Sequence, residues 1–269
     1  MRHIIKADGR RQWTVAMVNW KSLDYLSGQL RHFYELNDPA RFNFHVFDAT
    51  FPRTQCDQLR DMLEPYSNTH RNVSLSCWDR RLVGRAQHGS ELDAIMSCAD
   101  SEFFLSNDPD FLWAMGNNLG LLTDVLKTCS SVGAQHNLQQ HLPAWCAAYR
   151  LKDIKHTSWK GRYAMLPGWK RIVVDGCDTG WEPSRATDGG QRLVFQPMSF
   201  LPPVLGPVSY CGDKLHCTSY GFGASLLGTH MFRGQYVVEP SWKPTPKEWS
   251  EGRRAYMDYY FGLASANRY

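Results

Sequence analysis

The sequence predicts an α/β fold with a mainly parallel sheet flanked by helices, and two observations predict it. Compact apolar runs alternate with stretches whose apolar residues recur at helical spacing, which is the pattern of β-α-β units. The alternation is regular over residues 1–135 and fades from about 136, where Pro and Gly become frequent. The less regular second half is expected to complete the same domain rather than stand alone.

The elements follow in order. Trp13–Asn19 is a compact apolar run and reads as a buried strand. Leu23, Leu26, Leu30 and Phe33 recur at helical spacing and predict an amphipathic helix over 23–36, with Ser22 as its cap. Phe42–Asp48 is the second strand, and residues 55–64 read as a helix ended before Pro65. Val73–Trp78 is the third strand. The helix after it carries His88, Leu92, Ile95, Met96 and Ala99 on one face. A fourth strand spans 102–107, and Leu112, Met115, Leu119, Leu122 and Leu126 predict a helix directly behind it. Further strands are suggested at 171–174, 192–196 and 235–239. A terminal helix over 247–262 would carry Trp249, Tyr256, Tyr260 and Phe261. No internal repeat or low-complexity tract is present.

The fourth strand closes on Asp108-Pro109-Asp110. Residues i and i+2 of an extended segment point to one side, and Pro109 keeps Asp108 extended. Two hard oxygen ligands beyond the carboxyl end of a strand suit a divalent cation that carries a diphosphate. The plainer reading is a turn in which Asp110 caps a helix starting at Phe111. The first and second strands also end in polar groups, Asn19-Trp20 and Asp48. Asp48 there can accept hydrogen bonds from a base or ribose, or simply cap a turn.

Composition narrows the classes. Of 269 residues, 43% are hydrophobic and 21% charged, an ordinary globular balance. The net charge of +4 fits an anionic substrate such as a nucleotide and is too small to argue for nucleic acid alone. No apolar run reaches the length of a membrane span, and the N-terminus lacks the apolar core of a signal peptide. The 8 Cys form no C-x-x-C pair, so a reducing compartment, the cytoplasm, is expected, although Cys211 and Cys217 flank a polar loop that they could bridge. The chain has no G-x-G-x-x-G after its first strand and no G-x-x-x-x-G-K-[ST], which argues against a dinucleotide dehydrogenase and a P-loop NTPase.

In this order of features the chain resembles the GT-A-type (Rossmann-like) glycosyltransferases, in particular the inverting family 2 group. The resemblance covers about the first 130 residues: the opening strand ending in Asn19-Trp20, the second ending in Asp48, the His88-Gly89 step before a helix, and the D-x-D motif at Asp108 and Asp110. Asp175 to Glu182 contains a D-T-G-W string similar to a segment of bacterial members. His230, in Gly228–Gly234, stands where such enzymes often carry a C-terminal metal ligand.

The resemblance implies one domain, with residues 1–135 binding the nucleotide sugar and 136–269 the acceptor. Asn19, Trp20, Asp48, His88, Asp108 and Arg233 would hold a UDP- or GDP-sugar donor. Asp108, Asp110 and His230 would hold Mn²⁺ or Mg²⁺. A carboxylate, Asp178 or Glu182 with Asp175 not excluded, would take the proton of a hydroxyl acceptor, giving inversion. The family's usual E-D pair and Q-x-x-R-W string are absent, as is a full D-D-G-S match at Phe47–Thr50. Trp145, Trp159, Trp169 and Trp181 are candidates to stack on a sugar or to fill the core.

Three other readings stay open. A nucleotidyltransferase of the same fold would want a glycine-rich loop after the first strand, and Asn19–Ser22 has no glycine. A metal or nucleic-acid module would use His136, His141 and Cys146 for zinc, or Arg2, Lys6, Arg10, Arg11, Arg80, Arg81 and Arg85 on phosphates. That basic cluster also leaves room for a polymeric acceptor, DNA included. A catalytically dead scaffold is the third.

Overall fold

A computed structural model describes residues 1–20, 23–50, 54–78, 87–134, 142–166, 170–173, 179–198, 217–222 and 225–231. The chain forms two compact units. The first takes Met1–Trp20, Asp38–Asp108 and Leu119–Val194, and the second takes Lys21–Asn37, Pro109–Asn118 and the chain from Phe195.

With strands and helices numbered in chain order over the whole protein, the first unit contains β1 (Arg2–Ile5), β2 (Trp13–Asn19), β3 (Phe42–Asp48), β4 (Val73–Cys77), β5 (Phe103–Asn107), β7 (Ser131–Ala134) and β8 (Cys146–Arg150), in the sheet order β1-β4-β3-β2-β5-β8-β7. The pairs β2–β3, β2–β5 and β3–β4 are parallel. They form the doubly wound centre that the apolar runs predict. Strands β2, β4 and β5 are buried at every residue and β3 at all but one, as strands with both faces covered must be. The pairs β1–β4, β5–β8 and β7–β8 are antiparallel and extend this centre on both sides.

Helices α2 (Thr54–His70), α3 (Gln87–Cys98) and α4 (Asn118–Thr128) join these strands. Leu92, Ile95, Met96 and Ala99 of α3 pack on Ala16, Val18, Phe47 and Phe104, with Tyr149 and Trp159 completing the cluster. On α4, Thr123 accepts the indole hydrogen of Trp13 at 3.0 Å, which lets that ring be wholly buried. Two short helices, α5 (Leu151–Ile154) and α6 (Trp181–Ala186), and the antiparallel pair β9 (Tyr163–Leu166) and β10 (Lys170–Val173) follow.

The second unit contains α1 (Leu23–Leu36), β6 (Phe111–Trp113), β12 (Cys217–Phe222) and β13 (Ser225–Met231), with the last residues of β11 (Arg192–Met198). Strand β13 lies antiparallel between β12 and β6, and β11 pairs with β12.

Two expectations are corrected. Helix α2 does not stop before Pro65 but runs through it to His70. A proline within a helix removes one hydrogen bond and crowds the preceding turn, and packing of α2 on β4 and β1 outweighs that loss. The segment after Asp110 is not a helix: Phe111–Trp113 is a strand, held by β13 from far along the chain, and the helix begins at Asn118. Asp110 is therefore no N-cap. Pro109 and Asp110 form a turn, so the extended backbone assumed for the D-x-D motif ends at Asn107. Ser22, the proposed strand 235–239 and the proposed helix 247–262 lie outside the described residues. No helix among those described is long and apolar enough to cross a membrane.

Candidate functional site

Parallel pairing brings the polar strand ends together. Asn19 and Asp48 are register partners at the carboxyl ends of β2 and β3. Both are buried, so their polar atoms need partners. The two hydrogens of the Asn19 amide nitrogen are shared among Asp48 Oδ1, Thr50 Oγ1 and Gln55 Oε1, each at 3.2 Å. Asp48 Oδ1 also accepts the Thr50 backbone N–H at 3.0 Å. One carboxylate oxygen is thus committed to holding the loop, which fixes the direction of the other. Trp20, next in the chain, is exposed.

Beside this edge, Trp78 packs at a tilt against Phe47, with centroids 5.0 Å apart, and donates its indole hydrogen to Glu91 Oε1 at 2.9 Å. Glu91 is almost wholly enclosed, and its Oε2 is buried without a hydrogen bond. Burial pushes its carboxyl above the usual range, and the indole hydrogen offsets only part of that. Sequence reasoning missed Glu91. Its signal was an acid three residues after His88 and four before Ile95, on the apolar stripe of a helix.

His88 opens α3 and reaches Asp108, with Nε2 3.1 Å from Oδ1. The glycine after it is a packing requirement: a Cβ at Gly89 would stand 2.7 Å from Lys160 Cα and from the Trp159 carbonyl oxygen. Asp108 is held on its other side by its backbone N–H, which donates to Trp145 O at 3.0 Å.

Asp110, in the second unit, is buried. The β6–β13 register sets His230 opposite Phe111, one residue from Asp110 along the chain. Among the described residues no group of three His, Cys, Asp or Glu stands ready for a metal ion. The chemistry of the side chain still fits a hard divalent cation, since Asp110 carries carboxylate oxygens. Arg233, Asp178 and Asp175 lie outside the described residues, as do Trp169, His136, His141, Arg80, Arg81 and Arg85.

Glu182, near the start of α6, accepts the Ser158 backbone N–H through Oε2 at 2.9 Å. Asp93 accepts the Trp159 N–H at 2.6 Å and the Ser158 hydroxyl at 2.8 Å. Burial raises the Asp93 carboxyl. These two acids hold one loop against α3 and α6. Trp145 and Trp159 are core residues, whereas Trp181 is half-buried beneath the guanidinium groups of Arg162 and Arg185, at 4.8 and 5.2 Å. Cys146 is buried in β8, and burial raises its thiol.

No protein-family model and no curated protein matches the sequence. Solved structures do match. The mannosyltransferase PcManGT from Pyrobaculum calidifontis, in complex with GDP-Man and Mn²⁺, aligns with a TM-score of 0.53 at 14% identity, over 99% of this chain and 77% of its own. Residues 1–349 of TarS from S. aureus align at 0.42 and 14% identity, over 56% of this chain and 50% of that one. GlyE from Streptococcus pneumoniae aligns at 0.36 and 15% identity, over 54% and 35%. The chain spans about half the length of the TarS fragment it matches. The likeness to PcManGT establishes the fold: this is the GT-A-like α/β architecture that the sequence leads one to expect.

Proposed function

We propose that this chain is a metal-dependent glycosyltransferase that moves a sugar from a nucleoside-diphosphate donor to a hydroxyl acceptor, with inversion. The observation that carries the reading is the paired Asn19 and Asp48 at the carboxyl ends of β2 and β3. Ligands of such sheets bind beyond these strand ends. The support from outside is a fold shared with a mannosyltransferase that holds GDP-Man and Mn²⁺.

The roles follow from the chemistry of the residues. Asp48 accepts hydrogen bonds from the base, and Asn19 keeps its carboxylate aimed. Trp20 and Arg233 complete the donor side. Asp108, Asp110 and His230 would hold Mn²⁺ or Mg²⁺. The cation, when bound, supplies positive charge that offsets the charge gathering on the leaving diphosphate. His88 keeps Asp108 oriented. Asp178 or Glu182 takes the proton of the acceptor hydroxyl. The acceptor oxygen bonds to the anomeric carbon as the bond from that carbon to the phosphate oxygen breaks. Among the described residues the hydrogen bond to Glu182 is that of Ser158 to Oε2, so the task falls to Oε1. Residues 1–135 bind the donor and 136–269 the acceptor, and the reaction belongs in the reducing cytoplasm.

A thermal-shift screen of UDP and GDP with and without Mn²⁺ tests the reading. One nucleotide should raise the melting point only when metal is present, since a ligand bound at 100 times its Kd adds about 2.7 kcal/mol. No metal-dependent shift with either nucleotide sinks it. Asp110→Ala, folded but inactive toward the matching donor sugar, separates an enzyme from a dead scaffold.

A further inference from the structure

Helix α1 buries two polar side chains on the face where helical spacing calls for apolar ones. Gln29 and His32 are 0% and 2% exposed, among Leu26, Leu30 and Phe33. Polar groups so enclosed need hydrogen-bond partners, and these find theirs in the backbone of β6. Gln29 Nε2 donates to the carbonyl of Phe111, and His32 Nε2 lies 2.9 Å from the carbonyl of Trp113. A carbonyl only accepts, so Nε2 of His32 carries the hydrogen.

Phe111 and Trp113 are two apart on a strand, so their carbonyls point the same way. Among the described residues β6 is the last strand of its sheet, with β13 on one side. The open edge of a terminal strand exposes unpaired backbone groups, and covering it with a helix is one remedy. Here two side chains of α1 meet alternate carbonyls of that edge. The stitching continues beyond the strand: Asn117 N–H donates to Leu36 O at 3.1 Å, and Asn37 Nδ2 donates to Asn118 Oδ1 at 2.7 Å.

The first stitch falls on the residue directly after Asp110. Asp110 lies in the turn that leads directly into β6. We infer that Gln29 and His32 are positioning residues for Asp110, holding the β6 backbone so that its carboxylate meets a divalent cation. The inference rests on the metal role proposed for Asp110. Residues that orient metal ligands from behind change metal affinity by about 10–100-fold when lost.

The test is Mn²⁺ titration of the full chain at a fixed nucleoside diphosphate, GDP and then UDP, read by the electron paramagnetic resonance of free Mn²⁺. Gln29→Met keeps length and removes the donor; Gln29→Asn keeps the amide but shortens its reach. Both should weaken Mn²⁺ binding about 10-fold or more, with nucleotide affinity in the absence of metal unchanged. His32→Leu should do the same, and His32→Gln, which restores a donor, should recover most of the loss. Asn37→Leu breaks the stitch at the far end of the segment and should change Mn²⁺ affinity by far less than the about 10-fold expected of the Gln29 and His32 variants. Urea midpoints establish which variants are folded.

The inference is overturned if Asp110→Ala abolishes Mn²⁺ binding while every folded Gln29 and His32 variant keeps wild-type affinity. It is also overturned if Asn37→Leu weakens binding as much as they do, because the effect is then general loosening. If Asp110→Ala itself leaves Mn²⁺ bound, the proposed metal role fails first and takes this inference with it.

Discussion

His88 Nε2 stands 3.1 Å from Asp108 Oδ1, so the first turn of α3 touches the end of β5 through one imidazole and one carboxylate. Both side chains are part-exposed, at 35% and 22%. The His-Gly step and the first acid of the D-x-D motif, far apart in sequence, are therefore one structural feature. An exposed pair of this kind adds little stability, about 0–1 kcal/mol, so its value lies in orientation. On the proposed function, His88→Ala should leave the urea midpoint nearly unchanged and weaken Mn²⁺ binding in the presence of nucleotide about 10–100-fold, with kcat/KM falling alongside. His88→Asn, which keeps an N–H donor, should retain much more. Unchanged kinetics in the alanine variant would detach His88 from Asp108's role.

The Asn19–Asp48 pair is a different case, because it is buried. Asn19→Leu takes one of the two hydrogen bonds that described residues give Asp48 Oδ1, keeping that of the Thr50 N–H, and leaves Gln55 and Thr50 to each other. Removing one partner of a buried hydrogen bond costs about 1–3 kcal/mol. The variant should lose that much in urea unfolding and bind nucleotide more weakly as Asp48 loses its aim. A stability loss with nucleotide affinity intact would make the network purely structural.

Gly89 sets two effects against each other. Alanine in a helix is better than glycine by about 1 kcal/mol. The added Cβ would meet the backbone of Trp159 and Lys160 at 2.7 Å, however, and backbone does not swing aside. Overpacking of this kind costs about 1–3 kcal/mol. Gly89→Ala should therefore destabilise, and a gain in stability would show that α3 and the 159–160 segment are not locked together.

Strands β2 and β5 are legible in the sequence as compact, mainly apolar runs, and β3 and β4 as short segments in which Phe, Val and Leu alternate with Asn43, His45, Ser74 and Ser76. The polar ends Asn19, Asp48 and Asp108 are legible because they interrupt those runs where a parallel sheet presents its ligands. Strand β6 is not legible. It is three residues long, and Leu112, Met115 and Leu119 fit a helix; pairing with the distant β13 makes it a strand. Strand β1 is short and half-exposed, so no apolar run announces it. Gln29, His32 and Glu91 look like faults in helical stripes until the carbonyls of Phe111 and Trp113 and the indole of Trp78 are brought to them by the fold.

Glu91 predicts one direction of pH dependence. Burial raises its carboxyl in the folded state. The unfolded chain then ionises first as pH rises, so stability is full below the ordinary carboxyl value and declines as pH climbs through the raised one. Glu91→Gln keeps the acceptor for Trp78 and cannot ionise. Its urea midpoint should match wild type near pH 4 and exceed it at pH 8. A variant less stable than wild type at pH 8 would mean that the ionised carboxylate is well accommodated.

His45 predicts the opposite direction. Its Nε2 lies 3.0 Å from Ser76 Oγ, and His3 Nδ1 lies 3.0 Å from the same hydroxyl. A single hydroxyl hydrogen serves only one of the two rings, so the other ring must donate to the oxygen. Burial, followed by the neighbouring charge of His3, pushes the His45 imidazole down to about 3. As pH falls, the unfolded chain takes up the proton near the ordinary value while the folded chain stays neutral. The contribution of His45 is thus intact above about 6.5 and is lost as pH falls from there toward 3. At about 1.4 kcal/mol per pKa unit, the loss by pH 4 is on the order of 3 kcal/mol. His45→Gln keeps a hydrogen-bonding, non-titrating side chain on Ser76. Between pH 7 and pH 4 its urea midpoint should fall less than that of the wild-type protein. Parallel declines would mean that His45 already takes up its proton in the folded chain, and that acid instability arises elsewhere.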